Sequence, residues 1–156
     1  MRDPEETLEE LTRILDELRE RSQEWVVLVE GLKDRAAMTV LGVGGEIWQV
    51  QGPNTIFSVA ERLAKEGKKA IILTDWDRKG GQLARSLRDA LKANVVPYDD
   101  QLRMRLVVLV KMEIKDIESL PAFFTRLVTL AQTSHMEREM EAVRQRKAQK
   151  DCRPKP

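Results

Sequence analysis

The stretch Ala70-Ile71-Ile72-Leu73-Thr74-Asp75-Trp76-Asp77-Arg78-Lys79-Gly80-Gly81 decides the reading of this chain. Its first five residues have the apolar character of a short buried strand, and acids, bases and glycines follow at once. Carboxylates leaving the end of a buried strand repel one another unless a cation sits between them. Mg²⁺ suits such a place, because it takes one or two protein carboxylates and completes its octahedron with water and phosphate oxygens. A counterpart lies upstream. Trp25-Val26-Val27-Leu28-Val29 is a second apolar run, and it too ends in an acid and a glycine, Glu30-Gly31-Leu32-Lys33-Asp34. Two strands that deliver acids at their C-terminal ends share one rim, where open α/β sheets bind their ligands.

Around these runs the pattern alternates. Val26 to Val29, Glu46 to Val50, Ala70 to Thr74 and Val95-Val96 read as strands. Leu32 to Leu41, Asn54 to Glu66 and Gly81 to Ala93 read as helices, the first stopped by Gly42, the second capped by Asn54 and closed by Gly67. Such alternation predicts right-handed βαβ crossovers and a mainly parallel four-stranded sheet with helices on both faces, an α/β fold of Rossmann-like type. Ahead of it, Asp3-Pro4-Glu5-Glu6 carries the marks of a helix start, and Leu8, Leu11, Leu15 and Leu18 give that helix one apolar face.

Beyond the sheet, Leu106-Val107-Val108-Leu109-Val110 suits a strand by residue type. A cap at Asp99 or Asp100 with Leu102, Leu106, Leu109 and Val110 on one face suits a helix, the preferred reading for this segment. Ser119 then caps a long last helix from about Leu120, with Phe123, Leu127 and Leu130 on its buried face, and the chain turns polar after Met140. The expected organisation is an amphipathic helix packed on the core over residues 1–22, an α/β core over 23–98, a helical extension over 99–145 and a disordered basic tail over 146–156.

A chain of 156 residues with 42% hydrophobic and 34% charged residues describes one globular domain. No apolar run approaches the roughly 20 residues of a membrane span, so no membrane partner is expected. An acidic N-terminus without an apolar signal region points to the cytoplasm. Cys152 is the single cysteine, which excludes an internal disulfide and a cysteine-based zinc site. Net charge is +1, too small for strong nonspecific binding of nucleic acid by the whole surface. The charge is uneven: residues 1–20 carry eight acids and three bases, residues 137–156 seven bases and four acids.

Val29-Glu30-Gly31 at one strand end, Asp34 four residues past the glutamate, and Asp75-Trp76-Asp77-Arg78-Lys79-Gly80 after another strand resemble the toprim domain. That domain is shared by bacterial-type primases, type I and II topoisomerases, OLD-type nucleases, recombination-repair proteins and the nuclease that matures 5S ribosomal RNA. The resemblance covers roughly Val26 to Val96, and Lys115-Asp116-Ile117-Glu118-Ser119-Leu120-Pro121 is similar to small stand-alone archaeal members. It implies that Glu30 is a general acid or base and a metal ligand, and that Asp75 and Asp77 hold one or two Mg²⁺ ions, with Mn²⁺ able to substitute. Asp34 matches the aspartate that some members carry after Glu-Gly. Gly80 would let the backbone approach phosphate. Trp76 is a departure, because many members have a small residue or proline there.

The residues support this chemistry directly. Phosphodiester cleavage needs charge neutralised on phosphate oxygens and a nucleophile activated, and Mg²⁺ between carboxylates does both. Lys33, Arg78 and Lys79 beside the acids would meet a polyanionic substrate, with a helix N-terminus near Gly80. Each pair also has a plain structural reading: Glu30 and Asp34 as helix N-terminal acids, Asp75 and Asp77 as caps of a βα turn. The expected activity is that of a small Mg²⁺-dependent, nuclease-like phosphotransfer protein acting on RNA or DNA. The alternative is a non-catalytic, metal-dependent nucleic-acid-binding or adaptor module working in a complex. The terminal helices offer a surface for a homodimer or a protein partner.

Overall fold

The computed structural model describes residues 3–51 and 53–151. Its elements run α1 (Pro4–Arg21), β1 (Trp25–Val29), α2 (Leu32–Val40), β2 (Ile47–Gln49), α3 (Pro53–Glu66), β3 (Lys69–Ile72), α4 (Arg78–Ala93), β4 (Tyr98–Asp99), α5 (Gln101–Val110) and α6 (Leu120–Asp151). The four strands form one parallel sheet in the order β2-β1-β3-β4. From β1 the chain steps outward to β2, then returns to place β3 on the other side. The rim between β1 and β3 is therefore the switch point of the sheet.

The period of two along a strand sorts the core into two layers. Val27, Val29, Ile71 and Leu73 point to one face, where they meet Leu11, Ile14, Leu15 and Leu18 of α1, Met38 of α2, Leu106 of α5 and Phe123 of α6. Val26, Leu28, Ala70 and Ile72 point to the other, against Ile56, Ala60 and Leu63 of α3 and Leu87 and Leu91 of α4. Val27, Leu28 and Val29 are fully shielded from solvent. Each such side chain contributes roughly 1.5–3 kcal/mol by burial, so the strand that carries Glu30 is firmly held.

Several boundaries differ from the sequence reading. The fourth strand is Tyr98–Asp99, paired with Ala70 and Ile71; Val95-Val96, β-branched and strand-like by type, lies in the turn that closes α4. Val95 itself takes a left-handed φ of 55°. α3 begins at Pro53, which places Asn54 inside the first turn instead of at the cap. α4 begins at Arg78, so Arg78, Lys79 and Gly80 are helical. The ambiguous segment is helix, with the Asp99 carboxylate accepting from the Leu102 amide at 3.1 Å. α6 continues to Asp151, six residues into the tail expected to be disordered; residues 152–156, Cys152 among them, lie outside the described residues. Gly42 and Gly67 close α2 and α3 with φ of 85° and 65°, as expected of helix-terminating glycines.

Candidate metal centre

Glu30 leaves β1 in a bend just before α2, and Asp75 follows β3 on the neighbouring strand. Asp34, one turn into α2, completes the group. One carboxylate oxygen from each of Glu30, Asp34 and Asp75 lies within 4.8 Å of the others. Glu30 Oε1 is buried and has no hydrogen-bond partner. Burial first, then a hydrogen bond to Asp75 and the charges of Asp75, Asp77 and Asp34, push the Glu30 carboxyl up to about 7. Burial and the Asp75 charge likewise raise Asp34, which the Gly31 amide, donating to Oδ2 at 3.1 Å, partly offsets. An acid raised so far by burial and then by its neighbouring acids, with a buried oxygen left unpartnered, belongs to a donor set that fits a hard divalent cation.

The loop bearing Asp75 is clamped from both sides. The Ile117 amide donates to Asp75 Oδ1 at 2.9 Å. The Arg103 guanidinium, from α5, donates to the main-chain carbonyls of Thr74 and Asp75 at 2.9 and 2.7 Å. Trp76 is anchored to the core layer of α1 and α6, its indole N–H donating to the Ile114 carbonyl at 2.8 Å. Its place between the two aspartates is thus a packing role. Arg103 and the Ile117 amide carry no signal in the sequence, because they reach the loop from 28 and 42 residues away.

Asp77 is not part of the three-acid group. It is the N-cap of α4, accepting from the Gly80 amide at 2.7 Å. Gly80 is buried beneath the same loop: a Cβ there would stand 2.1 Å from the Asp75 carbonyl oxygen, and its own carbonyl accepts from Thr74 Oγ1 at 2.8 Å. Its missing side chain makes room for the Asp75 backbone, and its amide is already engaged by Asp77. Lys33 and Lys79 line the groove that opens over the acids; Arg78 is exposed at the start of α4 outside that lining. The groove, about 780 Å³, also takes in Gln51, Gln82, Ser86 and Glu118, with Val50, Ile56 and Leu83 forming an apolar wall. His135 is exposed on α6, 2.9 Å from Glu139, and is not among the residues that line the groove.

A sequence profile of the Toprim domain matches residues 25–109. A UPF0292 protein of Methanosarcina acetivorans is 37% identical over 121 residues, covering 77% of this chain and 83% of its own length. A UPF0292 protein of Archaeoglobus fulgidus is 37% identical over 114 residues, covering 72% of this chain and 88% of its own. Among solved structures, a protein from Aquifex aeolicus superimposes with a TM-score of 0.60 at 27% identity, covering 70% of this chain and 96% of its own.

Proposed function

This chain belongs to the Toprim domain family, and on that premise we propose that it acts on nucleic-acid phosphodiesters as a small, divalent-metal-dependent, nuclease-like phosphotransfer protein. The observation that carries the proposal is the buried, unpartnered oxygen of Glu30 beside Asp34 and Asp75 at the switch point of the sheet. Glu30, Asp34 and Asp75 would hold the ion, Mg²⁺ by preference for hard oxygen ligands, with Mn²⁺ as a substitute. Such an ion supplies neutralisation of charge on the phosphate oxygens.

The chain's own groups do the rest. Without an ion, burial and the neighbouring acids hold the Glu30 carboxyl at about 7; an ion bound beside it favours the carboxylate, which suits Glu30 to take a proton from the attacking group. Lys33 and Lys79 draw the phosphate backbone into the groove, and Arg78 extends that positive edge along α4. Arg103 and the Ile117 amide keep Asp75 in place as charge enters and leaves. Asp77 supports the site through the α4 cap and adds negative potential at Glu30.

The deciding assay is cleavage of end-labelled structured RNA, single-stranded DNA and duplex DNA with Mg²⁺ or Mn²⁺, wild type beside Glu30→Gln. Cleavage that requires both the ion and Glu30 is the expected result. Ion binding by calorimetry without cleavage of any substrate would favour the adaptor reading, in which Glu30 is dispensable and a partner surface is not.

A further inference from the structure

We propose that the free half of α6 is the seam of a weak antiparallel homodimer. α6 has two apolar faces. Leu120, Phe123, Leu127 and Ala131 are buried on the first, and Arg138, further along the same face, pairs with Glu5 of α1. At roughly 100° per residue, Met136, Met140 and Val143 stand on the opposite face. They are 60, 54 and 55% exposed, and they share a shallow apolar depression with Glu139 and Arg144. Steps of four and then three residues are the spacing of a coiled-coil seam, with Met136 and Val143 at d and Met140 at a; Lys147 and Lys150 continue it as the next a and d.

The order of charges beside that seam identifies the occupant as a second copy. Glu137 and Arg144 flank it at e, Glu139 and Arg146 at g. In an antiparallel pair, e faces e and g faces g. Glu137 then meets Arg144 of the partner subunit, and Glu139 meets Arg146 of the partner subunit, with each bridge repeated by symmetry. The same register sets Met140 on Val143 of the partner subunit and Met136 on the aliphatic stem of Lys147 of the partner subunit. A parallel pair would instead stack Lys147 and Lys150 on their own counterparts within the seam. A foreign helix of one charge would satisfy half of this acid-then-base order, whereas a reversed copy satisfies all of it. Some two heptads bury well under the roughly 1,600 Å² of a standard interface, so the association is concentration-dependent.

Sedimentation equilibrium of the full chain over about 10 µM to 1 mM should show a monomer–dimer equilibrium. Met140→Lys with Val143→Lys, at exposed positions where circular dichroism should report an intact fold, should raise the dissociation constant by about tenfold or more. Glu137→Lys with Glu139→Lys should weaken the dimer, and adding Arg144→Glu with Arg146→Glu should restore it. Orientation is read on a Cys152→Ser background. Met136→Cys chains should cross-link to Lys147→Cys chains but not to themselves, because residues 136 of the two copies lie about 16 Å apart along the axis. A monomer at every concentration, a dimer indifferent to the stripe, or cross-linking of each chain with itself would overturn the proposal.

Discussion

Asp75 and Asp77 are two residues apart and do different work. Asp75 turns its carboxylate toward Glu30 and Asp34, while Asp77 turns to the start of α4 and accepts from the Gly80 amide. Asn at position 75 keeps an oxygen for the Ile117 amide but loses the charge that repels Glu30. Asp75→Asn should therefore fold, gain stability without metal, and bind Mg²⁺ at least about tenfold more weakly by calorimetry. Asp77→Ala should lose about 1 kcal/mol of stability through the missing cap and change Mg²⁺ affinity less than Asp75→Asn does. Equal losses of affinity in the two variants would return Asp77 to the ligand set. Sequence alone ranks the two aspartates equally, since both follow a strand; the direction each side chain takes depends on where α4 begins.

At the scale of elements, the turn from α4 into β4 is where local preference and global topology disagree. Val95 is 88% exposed and holds φ at 55°, a conformation that β-branched residues disfavour. The sheet requires this turn, because β4 must reach back to pair beside β3. Val95→Gly should thus stabilise the protein by roughly 0.5–1 kcal/mol in thermal or denaturant unfolding; a loss of stability would show that the Val95 side chain contributes more than its backbone costs. The helices tell the complementary story. α1 was legible from its start signal and leucine spacing, and α2 and α3 from their closing glycines, Gly42 and Gly67. α5 was ambiguous by composition, and its helical state is decided by Leu102, Leu106 and Val110 packing into the layer over the sheet.

For the molecule as a whole, the acid group should couple folding to protons and, on the proposed reading, to a bound divalent ion. Glu30 is held at about 7 against an ordinary 4.5, so between those values the native state keeps a proton that the unfolded chain has released. Stability of the metal-free protein attributable to this group is therefore fully present below pH 4.5 and is lost as pH rises through about 7. Thermal unfolding in chelator should follow that slope, and Glu30→Gln should remove most of it. A divalent ion must displace the proton, so its stabilising effect should be larger at pH 7.5 than at pH 5. A chelated protein equally stable at pH 5 and 7 would contradict the coupling. Among the described residues no helix is long and apolar enough to cross a membrane.

Two apolar runs each ending in acid and glycine, with strand–helix alternation between them, were enough to determine the parallel sheet and to point to Glu30, Asp34, Asp75 and Asp77 at its rim, with Asp77 ranked as a ligand beside Glu30 and Asp75 and Asp34 in support. Those features are local, written in periodicity and in the short spacing from strand end to acid. Only the tertiary structure decided that Asp34 joins the group while Asp77 caps a helix. Only it showed that Gly80 makes room for backbone, that Arg103 and Ile117 clamp the Asp75 loop, and that α6 carries a second apolar face opposite the buried one. Each of these depends on which surfaces meet across tens of residues, and contacts of that range leave no period in a sequence.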